Sequence, residues 1–452
     1  MRKLLLATVA VLGGTMGAAE VASAQALSET AGQTASPAPG TITVRLNGRV
    51  RFYAAIVADR DTDLGGRQTN YTFGNYARLY PGFDGVAANG LKYGAALEIR
   101  QDNPAGAGGG ALGSISGQNR ARGALYFRRE WGYLGSDRLG TVRFGSIDSA
   151  SSLYMTGNFE NFNDGGLNGD VPGLIAGANQ ITWPFADVGA LYTTSKVVYL
   201  SPQIFGFDAG VSFEPNTGNV TLANSCAGGV GGSIGCERLS SISTSSAETG
   251  RRRNTLDALL RYRGTFGGFG IAATGGYIKS SNVKDSSGIP FNNDIRNGAI
   301  RPSFDGLDVG DFGLAVTYGG LSVGGKYQFG RFNNQWSLVP KGLPNGEAFL
   351  AGASYTFGPV IVGAHYLNYK SAGDLSNANF GRERLETGLA AGATYSLAPG
   401  LSVFLSYLYT QRRQNGFNFV TGAGATAAAP GGSTDHNKVI AQLISIGTSF
   451  SW

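Results

Sequence analysis

The chain has 452 residues and a formal net charge of +6, with 72 Gly, 20 Tyr and 25 Phe against only 3 Met and 15 Pro. That mixture suits many twisted strands and tight turns and suits helices poorly, and because the glycines keep no three-residue period it excludes collagen. So even a charge balance also excludes a nucleic-acid partner, which needs basic residues gathered on one face.

Arg2 and Lys3 precede an apolar run from Leu4 to Leu12 and small residues ending at Ala22-Ser23-Ala24. The run is too short to span a bilayer and reads as a secretory signal peptide cut after Ala24. Residues 25–40 then form a short N-terminal segment, and no linker divides residues 41–452, which read as one domain. Mean hydropathy is -0.06 and the signal peptide holds the only long apolar run, so any membrane crossing must use strands.

Residues 43–56 carry the first strong pattern. Val44, Leu46, Gly48, Val50, Phe52, Ala54 and Ile56 alternate with Thr43, Arg45, Asn47, Arg49, Arg51 and Tyr53, a period of two with an apolar face and a cationic face. The design recurs at Leu91–Arg100, Phe207–Glu214, Leu256–Arg263, Leu321–Phe329 and Leu401–Arg412. The connections sort by length. Residues 134–139, 201–206, 265–268, 319–320, 358–359 and 398–400 are short turns, whereas residues 101–119, 146–194, 215–252, 280–308, 332–346, 371–381 and 414–436 are long and polar. Short turns at one end and long loops at the other describe a transmembrane antiparallel β-barrel with periplasmic turns and external loops. About sixteen strands fit the length, a size that leaves an aqueous channel. Phe266, Phe269, Tyr318, Phe357 and Tyr395 gather near strand ends as an interfacial girdle does. In the last strand Ile440, Gln442, Ile444, Ile446, Thr448, Phe450 and Trp452 share one face and end the chain on an aromatic ring. Phe450 and Trp452 look like the signal read by the barrel-assembly machinery.

Other chemistry is sparse. Cys226 and Cys236 lie in a Gly/Ser-rich stretch, where an oxidising periplasm favours a disulfide over free thiols. Nothing near them completes a metal-ligand set. His365 and His436 are the only histidines, neither has a serine motif beside it, and so neither catalysis nor a cofactor is expected.

Four segments resemble the trimeric general porins of Gram-negative outer membranes: Tyr76–Leu79 through Phe83–Gly85 to Asn89–Glu98; Phe127–Glu130 through Gly140–Gly145; Ser195–Pro202 with Phe205–Phe207; and the last strand. The resemblance implies a homotrimer in outer-membrane lipid, passive diffusion of small hydrophilic solutes and ions, and a third external loop folded inward. That loop is residues 146–194, bearing Asp148, Glu160, Asp164, Asp170 and Asp187. The family's compact acidic-aromatic-glycine tip is not reproduced, Glu160–Gly166 being the nearest stretch. Arg49, Arg51, Arg78, Arg100, Arg122, Arg128 and Arg143 share lumen-facing parity, and Arg78 and Arg122 match the family's basic cluster at the constriction. Guanidinium groups stay charged even when crowded, so a positive wall facing the loop acids sets a transverse field focused by the low-dielectric barrel. These arginines could instead solvate the lumen or pair with Glu98 and Glu130. A substrate-selective, anion-preferring channel is the competing reading, and an adhesin or scaffolding barrel a further one; the clear aromatic stripes lie on the lipid face, where no sugar path would run.

Overall fold

A computed structural model describes residues 37–60, 70–101, 125–185, 194–216, 238–239, 252–282, 284–285, 304–333, 336–373, 382–424 and 435–452. Sixteen antiparallel strands close into one barrel in sequence order. They are β1 Ile42–Arg60, β2 Tyr71–Val86, β3 Lys92–Gln101, β4 Tyr126–Ser136, β5 Gly140–Ile147, β6 Thr194–Leu200, β7 Phe207–Asn216 and β8 Arg253–Phe266. The second half runs β9 Phe269–Lys279, β10 Asp308–Tyr318, β11 Leu321–Arg331, β12 Gly346–Phe357, β13 Val360–Ser371, β14 Arg384–Ala398, β15 Leu401–Gln414 and β16 Lys438–Ser451. β1 pairs with β16, with Arg49 opposite Ser451 and Arg60 opposite Ile440, so no strand edge remains. Closure satisfies every ladder group internally, as a lipid environment demands.

The alternation seen in the sequence is the barrel's inside and outside. Val44, Leu46, Leu97, Val211, Leu256, Leu405, Ile444 and Ile446 are exposed on the outer wall, while Arg45, Glu98, Asp208, Asp257, Lys326 and Ser406 are buried on the inner one. Phe266, Phe269, Tyr318, Phe357 and Tyr395 all stand exposed at the turn ends of their strands. Long connections alternate with short ones throughout. Two of them are not marked in the sequence, the span between Arg60 and Tyr71 and the short turn between Val86 and Lys92.

Two interruptions matter to the lumen. Pro81 has no N–H to donate, and the β2–β3 pairing lapses around it between Leu79↔Ile99 and Gly82↔Ala96, with the register unchanged on either side. A bulge then separates Glu98↔Arg129 from Ile99↔Phe127 and leaves Arg128 unopposed. Strict alternation would point one of Arg128 and Arg129 outward; the extra residue turns both inward, where both are buried.

Residues 148–185 fold back into the barrel. A single helical turn, α1 (Ala150–Leu153), starts the descent, and 3-10 turns follow at Gly166–Asn168, Val171–Leu174 and Gly177–Asn179. The loop's Phe159, Phe162, Leu167, Val171, Leu174 and Trp183 bury themselves against Leu350, Leu367, Ala390, Phe404 and Leu443 of the inner wall. This is an apolar core inside the barrel, built where a sheet face would otherwise meet water. Inward-facing glycines admit it. A methyl group at Gly74, Gly210, Gly313, Gly352, Gly363, Gly388 or Gly392 would collide with loop atoms.

Candidate functional site: the arginine wall and the inward loop

Asp170 is the centre of the site. Its carboxylate pairs with Arg78, with Arg51 at 3.1 Å and with Arg49 at 3.8 Å, and accepts the Tyr53 hydroxyl at 3.2 Å. The Tyr76 hydroxyl donates to the Asp170 backbone oxygen at 3.3 Å. β1 and β2 supply all five partners, because Arg49, Arg51 and Tyr53 alternate inward on one strand and Arg78 and Tyr76 on the next. Burial raises the Asp170 carboxyl, but Arg78, Arg49 and Arg51 outweigh it and hold the group well below the usual carboxylate range.

Asp164 is held differently. Its side chain accepts the Val171 N–H at 2.8 Å, while its backbone oxygen takes the Arg51 guanidinium at 3.3 Å. Burial raises its pKa to about 6, with Asp170 adding to the rise and Arg51 opposing it. Glu160 accepts from the Asn168 amide at 3.2 Å. The loop acids therefore do not line up across a gap from the arginines, as the sequence suggests. Asp170 touches three of them directly, and Glu160 and Asp164 chiefly brace the loop itself.

The second cluster lies on β3–β5. Glu98 pairs with Arg100, with Arg128 at 2.9 Å and with Arg129 at 2.9 Å. Arg129 also reaches Asp148 at 2.5 Å, tying the loop's first residues to the wall. Glu130, a candidate partner in the sequence, faces outward and is exposed. Arg143 forms no ion pair among the described residues; its guanidinium lies 4.8 Å from the Trp131 ring centroid. Nearer the turns, Arg45 pairs with Asp84 at 2.5 Å, and the Tyr133 hydroxyl donates to the same carboxylate at 2.5 Å.

Sequence reasoning missed Arg45 and Arg129 as wall cations. Arg45 was legible, sharing parity with Arg49, whereas Arg129 was hidden by the bulge. It also missed that the inner wall carries its own aromatics: Tyr53, Tyr76, Tyr80 and Tyr133 are buried there. Arg122, Asp187, Cys226, Cys236 and the expected signal peptide lie outside the described residues.

A closed sixteen-strand barrel with an apolar outside, a charged inside and one loop folded inward is the architecture of an outer-membrane channel. The comparisons give the same class. The Gram-negative porin family matches residues 7–415, and the chain belongs to that family. The anion-selective porin of Comamonas acidovorans is 15% identical, with a TM-score of 0.52 over 91% of this chain and 100% of that one. The trimer form of OmpT, an outer membrane protein of Vibrio cholerae, is likewise 15% identical, at a TM-score of 0.50 over 91% of this chain and 99% of that one. At such identities the likeness is one of fold. No curated protein matches the sequence. The protein is thus an outer-membrane porin, a water-filled channel for passive diffusion of small hydrophilic solutes rather than an enzyme.

Proposed function

We propose that the chain forms a homotrimeric general diffusion pore with a weak preference for anions. The narrow passage runs between the inward loop and the arginine wall of β1–β5. The observation that carries this reading is the charge of that wall. Arg45, Arg49, Arg51, Arg78, Arg100, Arg128, Arg129 and Arg143 stand against Asp84, Glu98, Asp148, Glu160, Asp164 and Asp170, eight cations to six acids. Asp84, Glu98, Asp148 and Asp170 are held in local ion pairs, so the field left for a passing ion is modest and positive. Salt screens it over about 8–10 Å, incompletely at the range an ion meets inside the pore.

Residues 1–24 act as the signal peptide. Phe450 and Trp452 are read by the barrel-assembly machinery, Cys226 and Cys236 close an external loop, and Arg122 joins the constriction. The trimeric state is supported by the trimer form recorded for the Vibrio protein. Current through a planar bilayer tests the reading, with cross-linking of the native protein to count subunits. Open, weakly anion-preferring, non-saturating current in a trimer is expected. Current that saturates with one anion would instead establish the substrate-selective alternative, which Arg143, lacking an acid partner among the described residues, favours.

A further inference from the structure

His365 projects inward from the middle of β13, opposite Gly352 of β12 and Ala390 of β14. It is fully buried, yet both ring nitrogens are satisfied by the inward loop. The Leu167 N–H donates to Nε2 at 3.0 Å. Nδ1 lies 2.9 Å from the Phe159 oxygen, and because a carbonyl only accepts, Nδ1 carries the proton. The ring also packs edge-on to Phe162 at 5.4 Å and against Trp183 at 5.8 Å. Gly166, at φ +64°, passes so close that any side chain there would strike the imidazole. One neutral ring thereby fastens two separate stretches of the loop, residues 159–167 and Trp183, to the wall.

The ionisable side chains on the surrounding elements are engaged elsewhere. Glu160 accepts from Asn168, Asp164 from Val171, and Glu386 from the Thr182 N–H and Arg412. Arg384 bonds Gln414, Lys326 pairs with Asp311, and Glu347 pairs with Lys370 on the outer wall. Among the described residues no carboxylate is placed to stabilise an imidazolium. A proton added at Nε2 converts the acceptor of the Leu167 bond into a donor facing a donor, inside an apolar cage.

We propose that His365 is the positioning residue that latches the inward loop, and that acid opens this latch. The inference rests on the reading of the chain as a pore narrowed by residues 148–185, and adds regulation of its passage. Neutral His365 keeps the loop against β12–β14; protonation costs it the Leu167 bond, and the loop samples detached positions that make the current unsteady.

The test records full-length channels in planar bilayers between pH 7.5 and 4.5, reading current noise and closing events. Wild-type current should be steady at pH 7.5 and several-fold noisier, reversibly, at pH 4.5. His365→Gln retains an acceptor at similar reach without titrating, so it should stay steady throughout. As an independent check, Asn161→Cys with Ser354→Cys joins loop to wall where Asn161 Nδ2 donates to Ser354 Oγ at 3.0 Å. This cross-link should abolish the acid response, and reduction should restore it. A wild type indifferent to acid, a His365→Gln channel with the full wild-type response, or a cross-linked channel that still responds overturns the latch while leaving the pore intact. No current at any pH overturns both.

Discussion

Replacing Asp170 with Asn removes one charge and almost no volume. Three arginines, Arg49, Arg51 and Arg78, then face each other without their carboxylate. Side-chain exposure is 9% for Asp170 and 13%, 15% and 4% for the three partners. Deleting one member of a buried ion pair costs about 3–5 kcal/mol, and the wet lumen places this site near about 3 kcal/mol. A loss of that size weakens loop docking on β1–β2 by roughly a hundred-fold. The barrel ladder, which the loop does not complete, should still assemble. Two readouts follow in a planar bilayer with a salt gradient. The zero-current potential should move toward anions because the wall gains one positive charge, and single-channel conductance should become variable because the loop end near Leu174 is released. An Asp170→Asn channel with the wild-type potential and a steady wild-type conductance would refute the assignment of Asp170 as the tie between loop and wall.

Other changes probe the remaining parts. Arg78→Ala with Arg122→Ala should shift the zero-current potential toward cations and widen the passage; an unchanged potential would place neither residue at the narrow point. Acidification from pH 7 to 5 protonates Asp164, held at about 6, and removing a negative charge should shift selectivity toward anions, with Asp164→Asn flat over the same range. Leu405→Arg should impair assembly. Leu405 lies four residues beyond the first residue of β15, about 10 Å along the membrane normal at barrel tilt, so near mid-bilayer it costs about 2–4 kcal/mol, read by urea titration in lipid vesicles against Ser402→Arg on the inner wall. Peptide mass mapping of unreduced protein should find Cys226 joined to Cys236.

The outer wall was readable from the chain because lipid imposes one requirement on every strand. Leu97, Val211 and Leu405 had to be apolar at alternate positions, and they face outward. The inner wall obeys no single rule, since its side chains answer to the loop that fills the lumen. Ser212 and Ser406 alternate inward with their strands, where small polar side chains suggest open lumen. Instead Ser212 accepts the Ala150 N–H at 3.3 Å and Ser406 is fully buried, so neither position is open. Arg129 was lost for a different reason, because a bulge shifts parity without any residue type announcing it. Asp170 was recognisable as an acid on the inward loop, but its contact with Arg49, Arg51 and Arg78 depends on where some twenty loop residues travel first. The glycines at inward parity on β10 and β12–β14 are the signal that could have traced that route.

The seam between β1 and β16 makes the wall a ring, and Trp452 is one of its links. The Trp452 N–H donates to Gly48 O and its oxygen accepts from Gly48 N, both at 3.1 Å, and the indole occupies the space a Gly48 side chain would need. A chain still being delivered from its N-terminal end can fold hairpins but cannot shut. Without β16, β1 and β15 would be two open strand edges in a lipid environment that cannot hydrate them. Sealing is thus checked by geometry: only a chain that carries both β1 and β16 can close the ring.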